Sequence, residues 1–488
     1  MAVKGMMPLV KSQEKIKSPI IYDALYGFIH LTPVEWEIIH TPFYQRLRWI
    51  KQLGFSFYTF PGAEHSRFGH SIGVMYNAHC ILKSVGHAVS DKELFSGNLS
   101  SEEARYHQKI RLAALLHDIG TFPFSHTTEM SYIRYAETKN KKIEGKVSHQ
   151  DDHEHLGSYI LKRTEEEGGI FYILKKYNIN PKEVSDLIKG VGKDILANQI
   201  LHSEIDCDRM DYLLRDAHYT GLQYGTYDRD YLLHHFKVVE VGDQKILAIN
   251  EKAIYCIQDF LMSRFAWYSQ VIRSARGAKF DALAEEIAFK LLVEGKLPRY
   301  QELLEMIEHN PMDFYSFSDQ YFVTTIQHLH KKGKFNDPSM KNMIEHLLLS
   351  RSPKTLKLDV FKQRILEQDN SGENHKYLKR ANDKLQEIAE YIQRHGNPKK
   401  DWILNDMPKK DVVLVKSRNK IVKDKLTQNV LLERDPAKIL LEDGNVTLLS
   451  SYEDSLINKL QNTYNFMPNV FCSESAYDLL ARSGILEG

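Results

Sequence analysis

The stretch that most constrains this chain is Ile110-Arg-Leu-Ala-Ala-Leu-Leu-His-Asp-Ile-Gly-Thr-Phe-Pro-Phe-Ser-His126. An apolar run with helical spacing closes on the adjacent pair His117 and Asp118, and Gly120 and Pro123 then stop the helix. A neutral imidazole nitrogen beside a hard carboxylate suits a divalent cation. Metal sites in helical proteins collect one or two inward groups from each of several helices. The rest of the chain is therefore expected to supply further ligands, and the candidates are His70, His117, Asp118 and an acid within 206–211.

With 488 residues the chain exceeds one compact core, so two or three structural units are expected. Its formal net charge of +1 provides no global field to recruit nucleic acid or a membrane surface. The N-terminal residues lack a signal-peptide apolar region, and no run approaches the length of a membrane span. Cys80, Cys207, Cys256 and Cys472 are scattered without metal-ligand or disulfide spacing, which fits a reducing cytoplasm.

Taken in order, residues 1–17 read as a loose arm, and Ile20–Leu31 as a hairpin turning at Gly27. Thr32-Pro33 and Thr41-Pro42 are helix starts, the second leading to a helix that ends at Gly54. A helix from about Phe68 carries His70. Residues 137–150 form a charged loop ending in a histidine-rich patch of His149, His153 and His155. Residues 196–216 read as one long helical segment whose acids at 208, 211 and 216 cannot all share a face. The alternating stretch 236–250 is a second hairpin, and helices fill 251–296 and 300–395. After Gly396 the composition shifts to short β-branched runs at 412–415, 439–441 and 446–449, with a final helix from about 474. Lys399–Lys425, basic but interspersed with Asp, reads as a solvated face.

Several blocks in one order carry a family resemblance. They are Asp23–Ile29, Gln45–Gly54, Phe60–Ser71, Leu115–Gly120 with Pro123–His126, His153-Glu154, and Asp206–Asp216. Over residues 18–290 the chain resembles the HD-domain deoxynucleoside triphosphate triphosphohydrolases, the dGTPase and sterile-alpha-motif/HD-domain group. The resemblance implies a mainly α fold: an HD-domain helical core with small β-hairpins and a small α+β C-terminal region. The divisions expected are an arm over 1–17, a catalytic core over 18–295, a helical extension over 296–397 and the C-terminal region over 398–488.

By the same resemblance His70, His117, Asp118 and Asp208 are the metal ligands, a set that suits Mn, Fe, Zn or Mg. His126 lies near the scissile phosphate, His153 is the general acid, and Glu154 orients His153. Arg67 and Arg209 meet phosphates, Arg209 standing where a relative has Lys. Gln52 and Leu53 touch the sugar, Tyr212 and Asp216 close on its 3′ side, and Arg264 contacts the triphosphate. The partners implied are a nucleotide, most directly a dNTP, and further copies of the chain in a dimer or tetramer.

The sequence departs from the family at three places. Thr121 stands where an imidazole contacts the α-phosphate, and Ile272 and Ser274 stand where Tyr and His face the base. Ile272 cannot hydrogen-bond a base edge. These departures favour an alternative, an HD-type phosphoesterase acting on another nucleotide or a short single-stranded oligonucleotide. A second alternative is a nucleotide-sensing protein whose HD site is structural.

Overall fold

The computed structural model describes residues 18–87, 89–140, 151–274, 276–362, 364–367, 371–406, 412–413, 436–452, 463–466 and 468–487. The arm over 1–17, His149, and most of Lys399–Lys425 lie outside them. The described part is mainly helical with small sheets. Among the described residues no helix is long and apolar enough to cross a membrane.

The expected hairpin forms: strand Ile20–Asp23 pairs antiparallel with Gly27–His30, and Gly27 takes the positive φ of 69° that the turn needs. The next helix, Pro33–Ile39, starts with a capping box. Glu35 N–H donates to Thr32 Oγ1 at 3.4 Å, and Thr32 N–H donates to Glu35 Oε2 at 2.9 Å. The same Glu35 carboxylate, fully buried, accepts from Arg111 Nε at 2.7 Å. A local cap is thereby tied to the helix that ends in His117.

The helix expected to reach Gly54 stops at Gln45 and tightens into a 3-10 turn over Arg46–Trp49. Long-range pairing interrupts it. Arg67 N–H donates to Ile50 O at 2.9 Å, and Gln52 N–H donates to His65 O at 3.0 Å, so the chain must extend there. The helix Arg67–Ser84 packs between Glu102–Leu116 and Cys207–Thr220, and His126–Asn140 packs on Gly277–Val293.

The long segment expected over 196–216 is two helices, Ile195–His202 and Cys207–Thr220. Ser203 leaves the helical region at ψ 177°, and Asp206 restarts the helix by accepting Arg209 N–H at 2.8 Å. The break puts Asp208 in the first turn of its helix.

One apolar core takes in residues from Ile29 to Leu347 together with Trp402, Ile439 and Phe471, so it crosses the boundaries expected at 295/296 and 397/398. A second, smaller core gathers Leu356, Phe361, Ile388, Val470 and Leu480. The C-terminal strands do not all stay in one unit. Lys438–Leu440 adds in parallel to Gln244–Asn250 through Ile439 and Ile249, joining the second hairpin in a four-stranded sheet.

Candidate functional site

The inward face of Arg67–Ser84, the end of Glu102–Leu116 and the first turn of Cys207–Thr220 meet at one point. His70 Nε2 lies 3.1 Å from Asp208 Oδ1 and 3.6 Å from Asp118 Oδ2. His117 Nε2 lies 3.4 Å from Asp118 Oδ2 and 3.8 Å from Asp208 Oδ1. The structure thus brings together all four residues expected as ligands. His70 and Asp118 are buried, while the Asp208 side chain is 36% exposed and marks the open side.

The outer nitrogens of both imidazoles are committed. His70 Nδ1 lies 2.8 Å from Asp211 Oδ2, and His117 Nδ1 lies 2.8 Å from the Ala114 carbonyl. Their Nε2 atoms are buried and face the Asp118 and Asp208 carboxylate oxygens, yet neither makes a hydrogen bond of good geometry among the described residues. Buried polar atoms seldom go unmatched. Two imidazole lone pairs beside two carboxylates are what a borderline or hard divalent cation requires, so the residues present fit one. Without a cation, burial disfavours a charge on His70, yet the Asp208 and Asp211 carboxylates lift its pKa to about 9. Asp118 resists burial because Arg67, His117 and His70 hold it well below the usual carboxylate range.

A second cluster adjoins the first. Glu129 receives His126 Nδ1 on one oxygen and His153 Nδ1 on the other, both at 2.6 Å. It also accepts His153 N–H at 2.8 Å. Burial opposes a charge on His153, but Glu129 outweighs it and raises the pKa to about 10, with Asp118 adding to the effect. The carboxylate that orients His153 is therefore Glu129. Glu154, expected in that role, is exposed on the first turn of His153–Arg163, because the helical twist carries adjacent residues to different faces.

The remaining expected contacts divide. Arg67 donates to Asp118 Oδ2 at 2.6 Å and to Ser125 Oγ at 2.9 Å, beside the ligands. Arg209 is buried and donates to the Ser203 carbonyl at 2.7 Å and to Asp206, so its guanidinium is engaged at its own helix start. Asp216 accepts His65 Nε2 and Trp267 Nε1, each at 2.7 Å, and Trp267 packs on Tyr212 with ring centroids 4.5 Å apart. Arg264 lies one helical turn before Trp267 on Ile254–Trp267 and is half-buried. Gln52 and Leu53 are buried, Leu53 in an apolar cluster with Ala63 and Val271 that Ile272 packs against. Ser274 Oγ accepts Gly277 N–H at 3.1 Å, and Thr121 is buried with its carbonyl accepting from Arg46.

Asp211 falls within the 206–211 range expected to hold a ligating acid but braces His70 instead, while Glu129, His65 and Trp267 are not among the residues expected. Asp211 and Glu129 each follow a recognised residue by three positions, Asp208 and His126, which places them on the same helical face. That spacing was the available signal.

Residues 67–216 match the family model described as HD domain. Among curated relatives, the uncharacterised protein YwfO of Bacillus subtilis is 34% identical over 307 residues, covering 62% of this chain and 61% of that protein. The deoxynucleoside triphosphate triphosphohydrolase SAMHD1 of Homo sapiens is 28% identical over 296 residues, covering 56% of this chain and 44% of that protein. The chain thus spans less than two thirds of the length of these relatives. A phosphohydrolase structure from Bacteroides thetaiotaomicron superposes with a TM-score of 0.62 at 20% identity, over 94% of this chain and 100% of that one. This last likeness concerns the fold.

Proposed function

We propose, from the match of residues 67–216 to the HD-domain family model, that this chain is a metal-dependent phosphohydrolase converting deoxynucleoside triphosphates to deoxynucleoside and triphosphate. The observation that carries the reading is the adjacency of two unlike clusters. One is a convergent His70, His117, Asp118 and Asp208 set; the other is a pair of imidazoles held by Glu129. A divalent cation held by His70, His117, Asp118 and Asp208 would supply Lewis acidity to a phosphoryl oxygen and acidify a bound water.

The protein's own groups do the rest. Glu129 holds both Nδ1 atoms, which leaves Nε2 of His126 and of His153 as the atoms that exchange protons with a substrate. His153, with its pKa raised to about 10, enters as the protonated partner and gives its proton to the departing oxygen. Arg67, fixed by Asp118 and Ser125, stands ready beside a phosphate with little orientational freedom to lose. Leu53, packed against Val271, offers an apolar wall to a deoxyribose.

A second reading, hydrolysis of another nucleotide or of a short single-stranded oligonucleotide, is favoured by the base side. Ile272 packs against an apolar cluster and Ser274 Oγ accepts the N–H of Gly277. One assay separates the readings: dNTPs, NTPs, monophosphates and short DNA are incubated with Mn or Mg, and the products are resolved. The proposal expects triphosphate from dNTPs and its loss in His117→Ala. No triphosphate from any dNTP, with His117→Ala behaving like the parent, would sink it.

A further inference from the structure

The helix Asp319–Lys332 begins with a buried carboxylate, and both of its oxygens face backbone N–H groups far away in sequence. Asp319 Oδ1 accepts the N–H of Phe124 at 2.5 Å, and Oδ2 accepts the N–H of Lys51 at 2.9 Å. Phe124 and Ser125 take φ values of 53° and 57°, two successive non-glycine residues in the left-handed region, directly before His126. Such a turn persists only where its surroundings over-determine it. Ser125 Oγ donates to the carbonyl of Lys51 at 2.6 Å and accepts from Arg67 Nε at 2.9 Å, while the Phe124 ring stacks on Phe55 at 4.1 Å. Lys51 is the common element, since its N–H meets Asp319 and its carbonyl meets Ser125.

We propose that Asp319 is a positioning residue for the phosphohydrolase site. By accepting the N–H groups of Phe124 and Lys51 together, it holds the left-handed turn that places His126 and Arg67. The inference rests on the function proposed above. A carboxylate is required because it accepts at both oxygens, whereas an asparagine would turn its NH2 toward one of the two donors. Burial pushes the Asp319 pKa up to about 7, against the N–H groups of Phe124 and Lys51 and the charges of Lys51 and Arg46 that face it. The acceptor pair is therefore complete on the alkaline side of about 7.

The test compares Asp319→Asn with Ile326→Ala in the full, metal-loaded chain, using the substrate found by the hydrolysis panel. Ile326 is buried in the same helix, so its truncation lowers stability while leaving both hydrogen bonds from Asp319 to the turn in place. Asp319→Asn is expected to lower kcat about 10- to 100-fold with metal content unchanged and KM nearly so. Ile326→Ala is expected to lower the melting temperature while keeping kcat within about twofold of the parent. Equal kcat losses in the two variants, or none in Asp319→Asn, would overturn the proposal. If Asp319→Asn does not fold, the parent decides. Its Phe124 amide resonance, followed with 15N-phenylalanine from about pH 4 to 9, should shift as Asp319 takes up a proton, and kcat should fall with the same midpoint; a kcat profile that ignores that shift would refute the proposal. If the parent hydrolyses nothing in the panel, the functional reading fails, while the Phe124 titration still judges the contact.

Discussion

His70 Nδ1 lies 2.8 Å from Asp211 Oδ2, so one carboxylate on a neighbouring helix sets which nitrogen His70 turns toward Asp208. Asp211 is itself held by Arg215, with Nε to Oδ2 at 2.8 Å and Nη2 to Oδ1 at 2.9 Å. Arg215 also reaches Asp23 of the first hairpin at 3.0 Å. Partners that orient a ligating imidazole are worth about 10- to 100-fold in metal affinity. Asp211→Asn is therefore expected to weaken divalent metal binding by about that factor. Equilibrium dialysis with metal analysis checks it, and parent-like affinity would show that His70 needs no orienting carboxylate.

Gly73 and Gly120 are required by close approach. A Cβ on Gly73 would fall 1.8 Å from Asp211 Oδ1, and one on Gly120 would fall 2.3 Å from the His153 carbonyl and 2.4 Å from Gly157 N. Backbone atoms cannot swing aside, so Gly120→Ala must push the His153 helix outward. Overpacking of this kind costs about 1–3 kcal/mol. Urea unfolding should show that loss together with reduced hydrolysis; unchanged values for both would contradict the packing described.

Glu129 serves two histidines, so its removal should damage catalysis without emptying the ligand cluster. Glu129→Gln is expected to lower kcat by about 10²-fold or more while metal content stays at the parent level. Glu154→Gln, on an exposed position, should leave kcat within about twofold. Steady-state kinetics on the two variants checks both. A larger loss in Glu154→Gln than in Glu129→Gln would restore the assignment expected from the sequence.

Acid should weaken the fold through His79 and His107, whose Nδ1 and Nε2 lie 2.9 Å apart. Burial, with Arg111 and neighbouring cations, drives His79 well below its usual value and His107 down to about 3. Both are therefore neutral when folded but take up protons near pH 6.5 when unfolded. Their contribution is complete above that value and fades as pH falls toward about 3 for His107. The slope is at most about 1.4 kcal/mol per pH unit for each histidine. Denaturant midpoints should fall from pH 7 to pH 5, and His107→Gln should flatten the decline. An equally steep decline in the variant would place the acid sensitivity elsewhere.

Much of the fold was legible because it is local. The helix start at Thr32-Pro33, the turn at Gly27 and the stop after His117 and Asp118 depend on residues within a few positions of one another. Side-chain chemistry and helical spacing also brought out His70, His117, Asp118 and Asp208 as a set, although the family resemblance was needed to choose Asp208. The sequence by itself thus determined the helical class and the types of group on offer. Tertiary structure alone decided which groups meet. Glu129 rather than Glu154 orients His153 across 24 residues, because inter-helix packing chooses partners by distance in space. The break at Ser203–Asp206 and the parallel pairing of Ile439 with Ile249 have the same origin. Asp319 is the extreme case: its partners lie 195 and 268 residues away, so only the folded chain brings them together.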